Sequence, residues 1–234
     1  MMIAVFMATT ALSAQSGTGW KYDESTKTLT LSGNNVDWDG YSGYCQTENI
    51  VFDESFNVET IKDMVFFGWE LKKIVVPKCV KSIGSQAFSY CMLLESVELE
   101  GCQSIGNSAF ESCESLKSVK LPEGLQSIGD MAFRGCESLE SIELLEGLQS
   151  IGNSAFCGCA LSSVTLPSTL TYIGENAFDS SCRVETATSI EDAPSISAVA
   201  AQYYDLGGRR VDAESYRGVV VKVENGKAEL MRVK

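Results

Sequence analysis

Histidine is absent from the 234 residues. That removes Ser-His-Asp and Cys-His activation of a nucleophile, and the commonest transition-metal ligand. Carboxylate-pair chemistry or an oxygen-lined metal site stays open on composition alone, but no converging carboxylate pair or phosphate-cradling loop stands out. Positive charge is also in deficit: 18 Lys and Arg face 31 Asp and Glu, for a net charge of −13. This argues against nucleic acid as a partner, because phosphate binding needs a basic patch. The deficit lies upstream of the tail. Residues 201–234 hold seven basic and five acidic groups, which leaves −15 for the first 200 residues. Such a body is repelled by anionic membrane surfaces. Long apolar runs are missing as well: beyond the first residues nothing approaches the ~18 needed to span a bilayer.

What is present is a folded composition, 44% hydrophobic and 21% charged, which argues against disorder throughout. Its dominant feature is a repeat. Ile-Gly-x-x-Ala-Phe occurs at 83–88, 105–110, 128–133, 151–156 and 173–178, with starts 22, 23, 23 and 22 residues apart. A period of roughly 20–29 residues marks a leucine-rich solenoid. A degenerate first unit places Ile61, Phe66 and Trp69 at the Ile, Phe and Cys positions.

Each unit continues into a Leu-x-x-Val-x-Leu segment: Leu71-Ile74-Val76, Leu94-Val97-Leu99, Leu116-Val119-Leu121, Leu139-Ile142-Leu144 and Leu161-Val164-Leu166. Alternation predicts a short strand with these side chains inward, stopped at Pro77, Pro122 and Pro167. A turn then leads into a second apolar segment such as Leu125-x-x-Ile128. The glycines after each Ile suit a backbone conformation that a side chain would hinder. Ser85, Asn107, Asp130 and Asn153 follow them as helix N-caps, so a helical turn is expected at each Ala-Phe. Phe88, Phe110, Phe133, Phe156 and Phe178 should stack as a core spine. The predicted fold is thus β-rich with short helical turns: a leucine-rich-repeat solenoid over residues 61–182, with a β cap at 15–60, a linker at 183–200 and a small β tail at 201–234.

Alternation also assigns the outward side of the strands. It carries Lys73 and Val75, Ser96 and Glu98, Ser118 and Lys120, Ser141 and Glu143, and Ser163 and Thr165. These ten residues are the candidate binding surface. The column Glu98, Lys120, Glu143 also fits a solvated, self-complementary ladder. No aromatic or Arg lies among the ten, and those types dominate binding energy.

The nine cysteines suggest disulfides at first sight. Register favours reduced core thiols instead. Cys91, Cys113, Cys136 and Cys159 each sit three residues after a spine Phe, and Cys182 sits four after. They form an inward column in which a bridge would pull two turns out of a regular ladder. Zinc is disfavoured without histidine, since Cys157-Gly158-Cys159 is the one close pair. Cys157 should be exposed, and Cys45, Cys79 and Cys102 have no assigned place. No metal or cofactor is called for.

At the start, Met1 to Ala14 fits a signal peptide. An apolar run through Met2–Ala8 precedes the small residues Ala11-Leu12-Ser13-Ala14, although no Lys or Arg leads the run. Trp20-Lys21-Tyr22 and Thr28–Gly33 fit cap strands. Trp38, Tyr41 and Tyr44 either cover the first repeat or form a binding patch. Near the end, Asn225-Gly226 between apolar runs signals a hairpin.

The composite pattern Ile-Gly-x-x-Ala-Phe-x-x-Cys-x-x-Leu-x-x-Val-x-Leu-Pro resembles the BspA-like leucine-rich repeat, and Trp20–Gly33 resembles that family's N-terminal cap. The resemblance implies an exported or surface-displayed binding protein, adhesin-like, whose partner is a matrix protein, a glycan or another cell. The tail resembles the C-terminal sorting signal of type IX secretion in Gram-negative Bacteroidetes. It does so through Asp205, Leu206, Gly208, Arg209, Arg210 and Val211, which implies the secretion machinery as a further partner. Two other readings stay open: a structural surface spacer without a specific ligand, and, least supported, an enzyme. Oligomeric state is not legible.

Overall fold

A computed structural model describes residues 15–39, 46–186, 202–205, 210–211, 218–224 and 227–233. The expected signal peptide, the linker from residue 187 onward, Tyr41, Tyr44, Cys45, Leu206, Gly208, Arg209 and the Asn225–Gly226 turn lie outside the described residues.

The chain winds as a parallel β-solenoid in which one repeat makes one turn. The first face is a seven-stranded sheet. Gln15–Gly17, Trp20–Asp23 and Thr28–Leu31 pair antiparallel, and Asn49–Phe52, Lys73–Val76, Ser96–Leu99 and Ser118–Lys120 then add in parallel. Val97 registers with Ile74 on one side and Val119 on the other, so the inward columns pack residue on equivalent residue. The second face is a six-stranded parallel sheet of two-residue strands: Thr60–Ile61, Ser82–Ile83, Ser104–Ile105, Ser127–Ile128, Ser150–Ile151 and Tyr172–Ile173. The third face is built of turns. These are also bonded to one another: the amides of Phe88, Phe110 and Phe133 each donate over 2.8 Å to the Ala carbonyl one turn on.

Between the faces lies the spine. Phe88, Phe110, Phe133, Phe156 and Phe178 stack at 5.2 Å with interplanar angles of 2–6°. Phe66 joins at 5.1 Å and 25°. Trp38 closes the open end, edge-on to Phe66 at 6.2 Å. Trp20, Tyr22, Leu29 and Leu31 are buried behind it. A solenoid exposes core at its ends, and this aromatic-rich start covers one of them.

The structure corrects several local expectations. No helix forms among the described residues. The residue before each Ala is left-handed: Gln86, Ser108, Met131, Ser154 and Asn176 have φ of 52–56°, which breaks a helix at its first step. The glycines two positions earlier have no such φ. Their constraint is steric. A Cβ on Gly106 would sit 2.7 Å from the Gly84 carbonyl carbon, and one on Gly129 would sit 2.6 Å from Asn107 Oδ1. The residues expected as N-caps act between turns. Asn107 Oδ1 accepts from the Asp130 amide (3.0 Å), Asp130 Oδ1 from the Asn153 amide (2.6 Å), and Asn153 Oδ1 from the Glu175 amide (2.8 Å).

One strand is missing. Leu139–Leu144 is irregular, so the large sheet ends at Ser118–Lys120, and Ser163–Leu166 pairs instead with Arg183–Thr186. The corner after Leu144 differs from its equivalents. Leu145 stands where Pro77, Pro122 and Pro167 fix φ in other turns, and Gly147 takes φ +104. Arg183–Thr186, the first part of the expected linker, is thereby a strand.

The tail forms a four-stranded antiparallel sheet in the order Arg210–Val211, Gln202–Asp205, Gly218–Glu224 and Lys227–Val233. Glu224 registers with Lys227, which is the pairing a two-residue hairpin imposes. The Gly218–Glu224 strand lies beside Tyr172–Ile173, and Val220 is buried.

Candidate binding surface

The outward residues stand where alternation puts them. Ile74, Val76, Val97, Leu99, Val119, Leu121, Val164 and Leu166 are buried. Lys73, Ser118, Lys120, Ser163 and Thr165 are exposed, and Val75, Ser96 and Glu98 are half-buried. Lys73, Ser96 and Ser118 register as one column, with Val75, Glu98 and Lys120 as the next. Ser141 and Glu143 are exposed but belong to no strand, so the surface is one regular patch and not the continuous face expected. Thr165 and Ser163 lie in the separate two-stranded sheet.

Charge on this face is largely matched. Glu98 pairs with Lys120 across adjacent strands. The Lys120 ammonium holds the Glu98 carboxyl below its usual range, and Glu98 raises Lys120 in return. A second ladder escaped the strand alternation because it lies one step outside the strands. Lys27 reaches Glu48 at 3.0 Å, Lys72 meets the other Glu48 oxygen, and Glu95 meets Lys117 at 3.3 Å. Lys72, then Lys27, depresses the Glu48 carboxyl. The sign alternation Lys27, Glu48, Lys72, Glu95, Lys117, Glu140 at one position per turn was the available signal. The ladder stops at Lys117, where the missing strand takes Glu140 out of register.

The inward thiols are tied to the backbone. All eight described cysteines are free. The Sγ atoms of Cys91, Cys113, Cys136 and Cys159 donate to the carbonyls of Phe66, Phe88, Phe110 and Phe133 at 3.1–3.3 Å. Burial pushes Cys91 and Cys102 up to about 12 and Cys113 well above its ordinary value. Cys136 is raised by its hydrogen bond with Cys159 and by burial. A thiol held protonated is neither a nucleophile nor a metal ligand at neutral pH. Cys157 is half-buried, not exposed, and burial and then Asp179 raise it. Cys79 donates to the Phe56 carbonyl at 3.5 Å, and Cys102 is buried. Among the described residues no group of three potential ligands could hold a metal, and no helix is long and apolar enough to cross a membrane. Of the sorting-like residues, Asp205, Arg210 and Val211 lie in paired tail strands.

The family described as BspA type leucine-rich repeat region matches residues 39–144 and 103–205, in six copies. No curated protein matches the chain. Among solved structures, a leucine-rich repeat protein of T. pallidum is 21% identical with a TM-score of 0.58, over 75% of this chain and 84% of that one. One from Bacteroides ovatus is 24% identical with a TM-score of 0.50, over 63% and 48%. A leucine-rich cell surface protein of Faecalibacterium prausnitzii is 21% identical with a TM-score of 0.50, over 95% and 61%. At these identities the likeness is one of fold.

Proposed function

The chain belongs to the BspA-type leucine-rich repeat family, and from that premise we propose that it is a non-catalytic, exported binding protein of the cell surface, adhesin-like. It engages a protein or glycan ligand through the solenoid surface. The observation that carries the reading is the sheet built from Lys73–Val76, Ser96–Leu99 and Ser118–Lys120. It holds outward side chains at fixed spacing on registered parallel strands, as a recognition surface requires. Lys73, Val75, Ser96, Glu98, Ser118 and Lys120 are its centre, and Ser141, Glu143, Ser163 and Thr165 extend it past the break. Residues 1–14 act as the export signal and the tail as an address read by the type IX machinery.

A second reading, a surface spacer without a specific ligand, draws on the ion pairs. Lys27–Glu48–Lys72, Glu95–Lys117 and Glu98–Lys120 satisfy one another and leave little charge for a partner. The test is fractionation of native cells with intact-mass analysis, then binding of the purified chain to immobilised matrix proteins and glycans. Surface protein lacking the first ~14 residues, with saturable binding, supports the proposal. Surface protein that binds nothing leaves the spacer, and full-length cytoplasmic protein refutes both.

A further inference from the structure

In the first two units the turn face departs from its own repeat by presenting large apolar side chains to solvent. After the spine Phe, the third and fourth units read Glu111-Ser112-Cys113-Glu114-Ser115 and Arg134-Gly135-Cys136-Glu137-Ser138. The second unit reads Ser89-Tyr90-Cys91-Met92-Leu93, so an aromatic replaces Ser or Gly, and Met-Leu replaces Glu-Ser. The first unit adds Phe67 and Met64. These five side chains are 40–54% exposed. The Phe67 and Tyr90 rings meet at 5.3 Å.

Folding does not ask for them. The Tyr90 position is left-handed throughout the stack: Gly68, Tyr90, Ser112, Gly135 and Gly158 have φ of 57–77°, with Tyr90 at 61°. Glycine, which three of the five units carry there, suits this backbone better than a bulky residue does. Aromatic residues and Met are the types enriched in protein interfaces. Unpaired acidic groups lie at its rim. By register, Met92 lies between Glu70 of the turn before and Glu114 of the turn after; both are exposed, and neither is held in an ion pair. The Tyr90 amide donates to the Glu111 carbonyl at 2.7 Å, which sets Glu111 beside it, although that carboxylate is already paired with Arg134 at 3.7 Å. The body around them carries −15 over the first 200 residues.

We propose that Met64, Phe67, Tyr90, Met92 and Leu93 form the protein-docking surface of this chain, and that its occupant is a protein segment with an apolar anchor flanked by Arg or Lys. The anchor covers Met92 and Leu93. A guanidinium stacks on the Phe67–Tyr90 pair and pairs with Glu70 or Glu114. This inference rests on the binding-protein reading above, and it moves the main contact from the polar sheet to the turn face.

The test is a phage-displayed random peptide library selected on the full chain, with the enriched peptides then titrated against the parent and a variant. The variant is Tyr90→Gly, Met92→Glu and Leu93→Ser, which installs residues the neighbouring turns already carry. We expect enriched peptides that pair basic with large apolar residues and bind the variant about thirtyfold more weakly or worse. The variant's melting temperature should be no lower than the parent's. Peptides that bind parent and variant alike, or that are acidic or uncharged, overturn the proposal. Loss of glycan-array binding in the variant, without enriched peptides, overturns the protein assignment in favour of a sugar. If the parent binds a matrix protein or glycan and the variant matches it, this surface fails while the binding-protein reading stands. If the parent binds nothing at all, that reading fails with it.

Discussion

Phe133 sits at the middle of the spine, fully buried, with Phe110 and Phe156 stacked on its two faces at 5.2 Å. Truncation to Ala removes the ring's transfer free energy, leaves a cavity held open by two turns that cannot collapse, and ends two ring contacts. A buried Phe→Ala change costs about 3–5 kcal/mol, and each aromatic pair adds about 0.5–1.5 kcal/mol beyond its area, so Phe133→Ala belongs at or above ~5 kcal/mol. Phe178 is the control. It is only partly buried and its one spine neighbour is Phe156, so Phe178→Ala should cost about half as much. Urea unfolding followed by circular dichroism gives both values. Position adds a second readout. A solenoid's stability is a sum of turn and nearest-neighbour terms. A cut at Phe133 therefore uncouples the two halves and broadens or splits the transition, while a cut at Phe178 trims one end. Equal costs at the two positions, or a Phe133→Ala cost below about 2 kcal/mol, would refute the claim that the spine is the axis of stability.

Three further outcomes follow from the same geometry. Gly129→Ala pushes a Cβ to 2.6 Å from Asn107 Oδ1 and 2.8 Å from its amide, whereas a Cβ on Gly124 meets nothing within 4 Å; Gly129→Ala should destabilise by roughly 2–4 kcal/mol and Gly124→Ala should be neutral or stabilising by up to about 1 kcal/mol, as thermal melts will show. Cys91 and Cys102 ionise near 12 when folded against an ordinary value of 9.0. Their contribution is complete below pH 9 and is lost as the pH rises towards 12, because the unfolded chain releases those protons first. Urea midpoints across that window should fall less steeply for a Cys91→Ala, Cys102→Ala double variant. Glu48 titrates below its ordinary value because Lys72 and Lys27 bond it. Its contribution is present above the unfolded-state carboxyl value and lost as pH falls through the depressed one. Glu48→Gln should flatten that acid limb, and one molar salt should erase the difference between the two proteins.

The fold was legible because a solenoid writes its contacts in one dimension. Residues one period apart touch, so register alone placed the Phe spine, the inward Val and Leu columns and the cysteine column. What escaped is what period does not encode. The Gly after each Ile is required by the backbone of the turn beneath it, a contact no local φ argument can find. Asn107 and Asp130 do satisfy backbone amides as caps do, but those amides belong to the next turn. The interruption at Leu139–Leu144 keeps the apolar pattern, and the sequence does not announce it: Glu100 also replaces the Pro after an intact strand, and Gly124 holds the place of Gly147 one turn earlier. The outward sheet residues were found by alternation, yet their ion pairing came from register with strands that alternation cannot order.

The same logic separates the binding surface from the scaffold. In a stacked repeat, a residue shared by every turn is explained by the turn below it, and it carries no information about a ligand. Only departures do. Cys102, buried where other units have Val80 or Leu125, is a departure that packing absorbs. Leu145 is absorbed by a change of corner. Tyr90, Met92 and Leu93 are not absorbed. They face solvent, one of them takes a left-handed backbone that suits glycine better, and the adjacent turns show that the fold stands with Glu and Ser in their place. A cluster that costs stability and solubility without serving the core is retained for contact with something outside the chain. Its restriction to the first two turns places that contact beside the Trp38-capped end of the spine, on the turn face and away from the self-paired charges of the sheet.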